Sequence, residues 1–199
     1  MTLDRLRPVA NLFLDPFVLS AKRVGLTPNG VSVVAFLLAI GAGISFFQAR
    51  PLWYLAGAVL VFLNGWLDLI DGALARELDV DSKAGDLLDH VLDRYADIVV
   101  VAGLAGGIGQ YGLGFAAVTG VLLTSYLGTQ IEAVGLEREY GGLLGRADRL
   151  ALIALVGVIV PFYPSVAGVS LVTALLGFLA IVGHLTALQR FGFGFQALR

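Results

Sequence analysis

Long uncharged stretches separated by short polar ones set the rhythm of this chain. A helix that crosses a bilayer needs about 20 mostly apolar residues, and residues 28–47 supply such a run without a single charge. A second begins at residue 51 and runs to 67, with Arg50 and Pro51 marking the turn between them. Residues 98–131 carry no charge and are too long for one pass; Gly106, Gly107, Gly109 and Gly112 crowd the middle, where the chain is expected to turn. Residues 150–189 are likewise uncharged and are interrupted by Pro161 and Pro164. The pattern predicts an all-α, polytopic membrane protein with six transmembrane helices. It forms one domain over 1–199, with a six-helix core over 28–190.

Residues 1–24 follow a different rule. Leu3, Leu6, Ala10, Phe13 and Phe17 recur at helical spacing, while Asp4, Arg5, Arg7 and Asp15 fall mostly off that face. This predicts an amphipathic helix lying in the membrane interface and bent at Pro16. Thr27-Pro28-Asn29 then suits a helix start, with Thr27 as the cap and Pro28 in the first turn. No cleavable leader is read at the N-terminus, so insertion is expected to rest on the internal segments.

Composition agrees with that picture. Of 199 residues 58% are hydrophobic and only 14% charged, against roughly 45–50% and about 25% in soluble domains, and the mean hydropathy is +0.87. The absence of cysteine excludes disulfides, thiolate catalysis and cysteine-bound metal. With six spans and an inner N-terminus, Arg50 alone of the 13 basic residues falls on the outer side. The positive-inside rule therefore predicts that the inner face is cytoplasmic, in the cell membrane.

Acidic residues are distributed still less evenly. Nine of the 15 lie between Asp68 and Asp97, where the second span gives way to the third on the inner side. Asp68 and Asp71 are three apart and Asp89 and Asp93 four apart, so each pair shares a helix face. A carboxylate at the bilayer centre costs about 2.5–3.5 kcal/mol even on an insertion scale. Four together, repelling one another, call for cations, and hard dications favour carboxylate oxygen. Glu77, Asp79 and Asp81 read as solvated loop acids. Asp86 and Asp97 continue the stripe of the third span, either behind the four or paired to Arg94 or Arg76. His184 reads as a satisfied core histidine, and Gly41 and Gly43 as helix-packing glycines.

The string from Asp68 to Arg76 reads D-L-I-D-G-A-L-A-R; eight residues later, Gly85 to Asp93 reads G-D-L-L-D-H-V-L-D. This resembles the signature of the CDP-alcohol phosphotransferase family, D-x2-D-G-x2-A-R-x8-G-x3-D-x3-D, at every fixed position: Asp68, Asp71, Gly72, Ala75, Arg76, Gly85, Asp89 and Asp93. Gly25-Leu26-Thr27-Pro28-Asn29 is similar to the family's lead into its first span, and six spans with an interfacial helix is the family's architecture. The resemblance implies two Mg2+ or Mn2+ ions, one held by Asp68, Asp71 and Asp89 and the other by Asp68, Asp89 and Asp93. It implies a CDP-lipid site at Asn29, Gly72, Ala75, Arg76, Ser82 and Gly85. Asp93 would be the catalytic base, activating the acceptor hydroxyl for direct displacement of CMP. A homodimer is implied as well.

The acceptor is sought between the fourth and fifth spans. Family members that accept a phosphorylated alcohol resemble S-Y-x-K-A-R-A-E-A and E-R-x-E-R-L there. This chain has Ser125-Tyr126-Leu127-Gly128-Thr129-Gln130-Ile131-Glu132-Ala133 and Gly145-Arg146-Ala147-Asp148-Arg149-Leu150. Gly128 and Gln130 replace a lysine and an arginine, whereas Arg146, Arg149 and Arg190 keep family positions. Those three arginines are the candidate site for the acceptor's phosphate, although anchoring at the inner face would equally account for them. The G-T-Q and G-R-A-D-R variants are similar to archaeal members of the archaetidylinositol phosphate synthase type. They point to a CDP-lipid (CDP-archaeol or CDP-diacylglycerol) as donor and inositol phosphate as acceptor in phospholipid biosynthesis, with glycerol phosphate as the alternative acceptor. A cation transporter is the reading from a different class; it expects acids at the midplane and leaves Gly72, Ala75 and Arg76 without a role.

Overall fold

The computed structural model describes residues 7–80, 82–137 and 141–199, and the side chains of the first helix from Leu14 onwards. Among the described residues seven helices follow one another: α1 (Arg7–Arg23), α2 (Pro28–Phe47), α3 (Pro51–Leu78), α4 (Lys83–Gly107), α5 (Tyr111–Ala133), α6 (Arg146–Ile159) and α7 (Leu171–Ala197). A hairpin of two antiparallel two-residue strands, β1 (Ser165–Val166) and β2 (Val169–Ser170), joins α6 to α7, so the turn expected at the prolines carries a little sheet.

Local chemistry sets the helix ends. Thr27 caps α2, its side chain accepting from the Gly30 N–H at 3.1 Å, and Pro28 opens the helix. Ser82 caps α4 in the same way, accepting from the Gly85 N–H at 3.0 Å. α4 and α5 turn at Gly109, which takes a left-handed φ of 68°. α6 starts with the Asp148 carboxylate accepting from the Gly145 N–H at 3.0 Å.

The helices outrun their uncharged stretches. α3 continues past residue 67 to Leu78 and α4 begins at Lys83, as the shared faces of Asp68 with Asp71 and of Asp89 with Asp93 require. The uncharged stretches mark only the apolar parts of two longer helices, whose polar ends meet across the short connection after Asp79. α6 has 14 residues, about 21 Å at 1.5 Å per residue, against a hydrocarbon core of about 30 Å. Among the described residues four helices (α2, α3, α5 and α7) are long and apolar enough to cross a membrane. α4 carries its acids within its length, and α6 is short.

α1 packs against α3 through Leu14, Val18 and Ala21, which are buried with Val31, Ile70 and Leu74. Phe17, the described side chain of the predicted apolar face, is half exposed and meets Trp66 edge-on at 5.5 Å. Leu3 and Leu6, and the side chains of Ala10 and Phe13, lie outside the described residues. Pro16 sits inside a continuous helix.

The main core gathers Phe46, Tyr54, Val61, Val100, Leu104, Leu176 and Leu179 from α2, α3, α4 and α7. Small residues allow the closest approaches. A Cβ on Gly103 of α4 would collide with the backbone of Gly43 on α2. Gly120 and Gly183 bring α5 and α7 together, and there the Thr124 hydroxyl donates to the Gly183 carbonyl at 2.8 Å. His184 is half-buried on the same seam, its Nε2 3.4 Å from the Thr119 hydroxyl. Packing in this way fixes the polar ends of α3 and α4 beside the start of α6.

Candidate active site

The last three turns of α3 and the first four of α4 converge, and their acids converge with them. Asp68, Asp71 and Asp89 each present a carboxylate oxygen, and these oxygens all lie within 4.8 Å of one another. Asp71 is buried and is fixed from a third helix: the Ser32 hydroxyl of α2 donates to its Oδ2 at 2.8 Å. Three converging anionic oxygens suit a hard dication such as Mg2+ or Mn2+, so the residues fit the group the sequence motif implies.

Asp93 stands outside that three-way set and is tied to it by α6. Arg146 Nη1 lies 2.8 Å from Asp68 Oδ1, and its Nη2 lies 2.6 Å from Asp93 Oδ1. The other Asp93 oxygen accepts from Arg94 Nη2 at 3.4 Å. Arg146 therefore spans the two acid-bearing helices. Its side chain keeps 16% of its exposure. Arg149, 3% exposed, donates from Nη2 to Asp97 Oδ2 at 3.1 Å. Arg190, also buried, donates from Nη1 to the Thr124 carbonyl at 2.7 Å and from Nε to the Gly141 carbonyl at 2.9 Å. The three candidate arginines thus spend donors on protein oxygens, and Arg146 reaches the acid cluster itself.

The residues matched to a CDP site fall at one rim. Asn29 and Ser82 flank Gly85 so closely that a Cβ there would stand 3.0 Å from Asn29 Oδ1 and 3.1 Å from Ser82 Oγ. Gly72 is open by comparison: a Cβ would meet only Arg76 Nη1, at 3.6 Å. Ala75 is half-buried and Arg76 exposed on the same end of α3. The acids read as solvated behave so where described. Glu77 pairs with Lys22 at 3.1 Å with both side chains about half exposed, and Asp79 ends α3 in a left-handed conformation. Asp81 lies outside the described residues.

Ser32 escaped the sequence reading; it carried no signal, since nothing in one sequence pairs it with Asp71. Asp97, read as continuing the stripe either behind the four acids or paired to Arg94 or Arg76, is buried against Arg94 of α4 and the arginines of α6.

Comparisons with known proteins find relatives along most of the chain. Residues 25–186 match a family model described as CDP-alcohol phosphatidyltransferase. The archaetidylinositol phosphate synthase of Methanothermobacter thermautotrophicus is 30% identical over 202 residues, covering 99% of this chain and 96% of the relative. The phosphatidylinositol phosphate synthase of Mycolicibacterium smegmatis is 32% identical over 158 residues, covering 75% of this chain and 70% of the relative. Among solved structures, the phosphatidylinositol phosphate synthase of Mycobacterium tuberculosis in complex with manganese and citrate superimposes with a TM-score of 0.77 at 26% identity, over 92% of this chain and 88% of that one. The same enzyme with CDP-DAG bound gives a TM-score of 0.76 at 25% identity, over 92% and 93%.

Proposed function

Because the chain belongs to the CDP-alcohol phosphatidyltransferase family, we propose that it moves the phosphatidyl-type group of a CDP-lipid onto inositol phosphate and releases CMP. It is a transferase of substituted phosphate groups, which sets the transporter reading aside. The observation that carries the proposal is the meeting of three helices at one point: carboxylates of α3 and α4 within 4.8 Å, and a guanidinium of α6 against two of the four motif aspartates.

Asp68, Asp71 and Asp89 would hold one Mg2+ or Mn2+ ion, and Asp68, Asp89 and Asp93 a second. Bound there, the ions would offset the charge of the pyrophosphate and of the departing CMP. Asn29, Ser82 and Gly85 line the nucleotide, Gly72 and Ala75 leave it room, and Arg76 turns its planar donor fork to the diphosphate. Asp93 takes the proton from the acceptor hydroxyl. The hydroxyl oxygen then bonds to the lipid-side phosphorus as the bond to the CMP oxygen breaks. Arg146 meets the acceptor's phosphate, with Arg149 and Arg190 adding positive charge behind it.

The same reading places six helices through the membrane, with α4 and α6 completing the set among apolar neighbours. It places α1 in the interface and the site at the cytoplasmic side, where the basic residues gather. A homodimer is expected from the resemblance; sizing in detergent tests it. The deciding experiment incubates the purified protein with a CDP-lipid and inositol phosphate, glycerol phosphate, inositol or serine, and follows CMP. Release with inositol phosphate above the others is expected. Preference for glycerol phosphate would replace the acceptor, and no release with any alcohol would defeat the proposal.

A further inference from the structure

Asp97 lies beyond the family motif. It sits two steps of four residues past Asp89 on the same face of α4. Asp89 joins the three-way acid set, Asp93 is shared with Arg146, and Asp97 lies in neither role. Instead its buried carboxylate gathers three guanidiniums. Arg149 Nη2 is 3.1 Å from Oδ2, Arg94 Nη1 3.7 Å from the same oxygen, and Arg146 Nε 3.9 Å from Oδ1. Water offers little help here. A cavity of about 10 Å3 beside the Asp97–Arg149 pair, walled by Val100, Val101, Ile153 and Leu179, has room for one water at most.

We propose that Asp97 is a positioning residue for the acceptor: its carboxylate anchors the α6 arginines so that Arg146 directs its two Nη groups into the acid cluster, at Asp68 and Asp93. This rests on the reading that Arg146 meets the acceptor's phosphate. The physical case is one of charge. Arg149 is almost wholly buried, and its Nε has no hydrogen-bond partner. Without Asp97 it loses the carboxylate it pairs with, and a buried uncompensated charge is costly. Two of the three arginines around Asp97 also meet carboxylates that the reaction needs: Arg146 lies 2.8 Å from Asp68 and 2.6 Å from Asp93, and Arg94 lies 3.4 Å from Asp93. Asp97 shares with Asp68 and Asp93 the work of balancing those positive charges. Its Oδ1 also lies on the Nε side of Arg146, at 3.9 Å, while the two Nη groups on the other edge of the planar fork meet Asp68 and Asp93.

A double-mutant cycle tests this. Asp97→Asn, Arg146→Ala and the double variant are assayed with CDP-diacylglycerol and inositol phosphate, together with melting temperatures in detergent. Asp97→Asn is expected to raise the KM for inositol phosphate about tenfold, with the KM for the CDP-lipid within about twofold of wild type. In the Arg146→Ala background the same change should add less than about twofold, because Asp97 acts through Arg146. An unchanged acceptor KM, or two effects that multiply in full, overturns the inference, as does an equal rise in both KM values. If Asp97→Asn does not fold, Asp97→Glu decides: it keeps the charge on a longer arm, so a rise confined to the acceptor is expected and any other pattern refutes. Should Arg146→Ala alone leave the acceptor KM untouched, the phosphate reading itself fails, which is a different result from a failure of Asp97.

Discussion

Ser32→Ala should weaken metal binding without dismantling the helix it sits on. Ser32 and Asp71 are both more than nine-tenths buried, and the hydroxyl donates 2.8 Å to Asp71 Oδ2. It also lies 3.2 Å from the Pro28 carbonyl, so α2 loses only a minor contact of its own. A hydrogen bond to a charged group is worth about 1.5–3 kcal/mol. At about 1.4 kcal/mol per tenfold, its loss corresponds to roughly ten- to hundredfold in affinity. Partners that orient a ligating carboxylate cost about the same, 10–100-fold, when removed. Titration with Mn2+, following the free ion by electron paramagnetic resonance, measures this directly. The expected result is a dissociation constant about tenfold or more above wild type, with the melting temperature nearly unchanged and affinity recovered in Ser32→Thr, which keeps the hydroxyl. Wild-type affinity in Ser32→Ala, set beside lost binding in Asp71→Asn, would show that the hydroxyl does nothing for the site.

Other consequences can be read at the bench. Asp93→Asn should abolish CMP release while CDP-lipid binding by calorimetry stays within a few-fold; undiminished turnover would remove Asp93 as the base. Chelation with EDTA should stop turnover, and added Mn2+ or Mg2+ should restore it; activity that survives exhaustive chelation would refute a metal-assisted displacement. Gly103→Val should lower the melting temperature by roughly 5 °C, since overpacking costs about 1–3 kcal/mol and a chain of this size loses about 2–4 °C per kcal/mol. Gly112→Ala, which meets nothing within 4 Å, should not, and equal effects of the two would count against the α2–α4 contact.

Spacing made much of this legible. Asp68 and Asp71, three apart, and Asp89 and Asp93, four apart, can share a face only if both stretches are helical, and both are. Hydropathy alone could not locate the helix ends, because α3 and α4 continue as helices well past their last apolar residue. There the cost of polar side chains is offset by pairing acid with base across the α3–α4–α6 junction rather than by leaving the helix. The Thr27 cap and the glycine turn before α5 were legible for a simpler reason: each is a local rule satisfied within four residues.

What spacing could not reveal is where a long side chain ends. Arg146 and Arg149 lie three apart at the start of α6, and sequence gives them the same character: basic, on the inner side, near a family position. Yet Arg149 is buried on Asp97, while Arg146 keeps part of its surface and bridges Asp68 and Asp93. One turn of helix separates a guanidinium paired to Asp97 from one that bridges two of the motif aspartates. The difference comes from how α6 lies against α3 and α4, a tertiary fact that no count of charges contains. The acids pose the lesser problem because their arms are short: once the backbone faces are known, the carboxylates have little freedom to be elsewhere. An arginine has about 2 kcal/mol of rotamer entropy to lose and five donors to satisfy, so its final position depends on which acceptors the fold supplies. In this fold one of those acceptors is Asp97, a residue outside the motif.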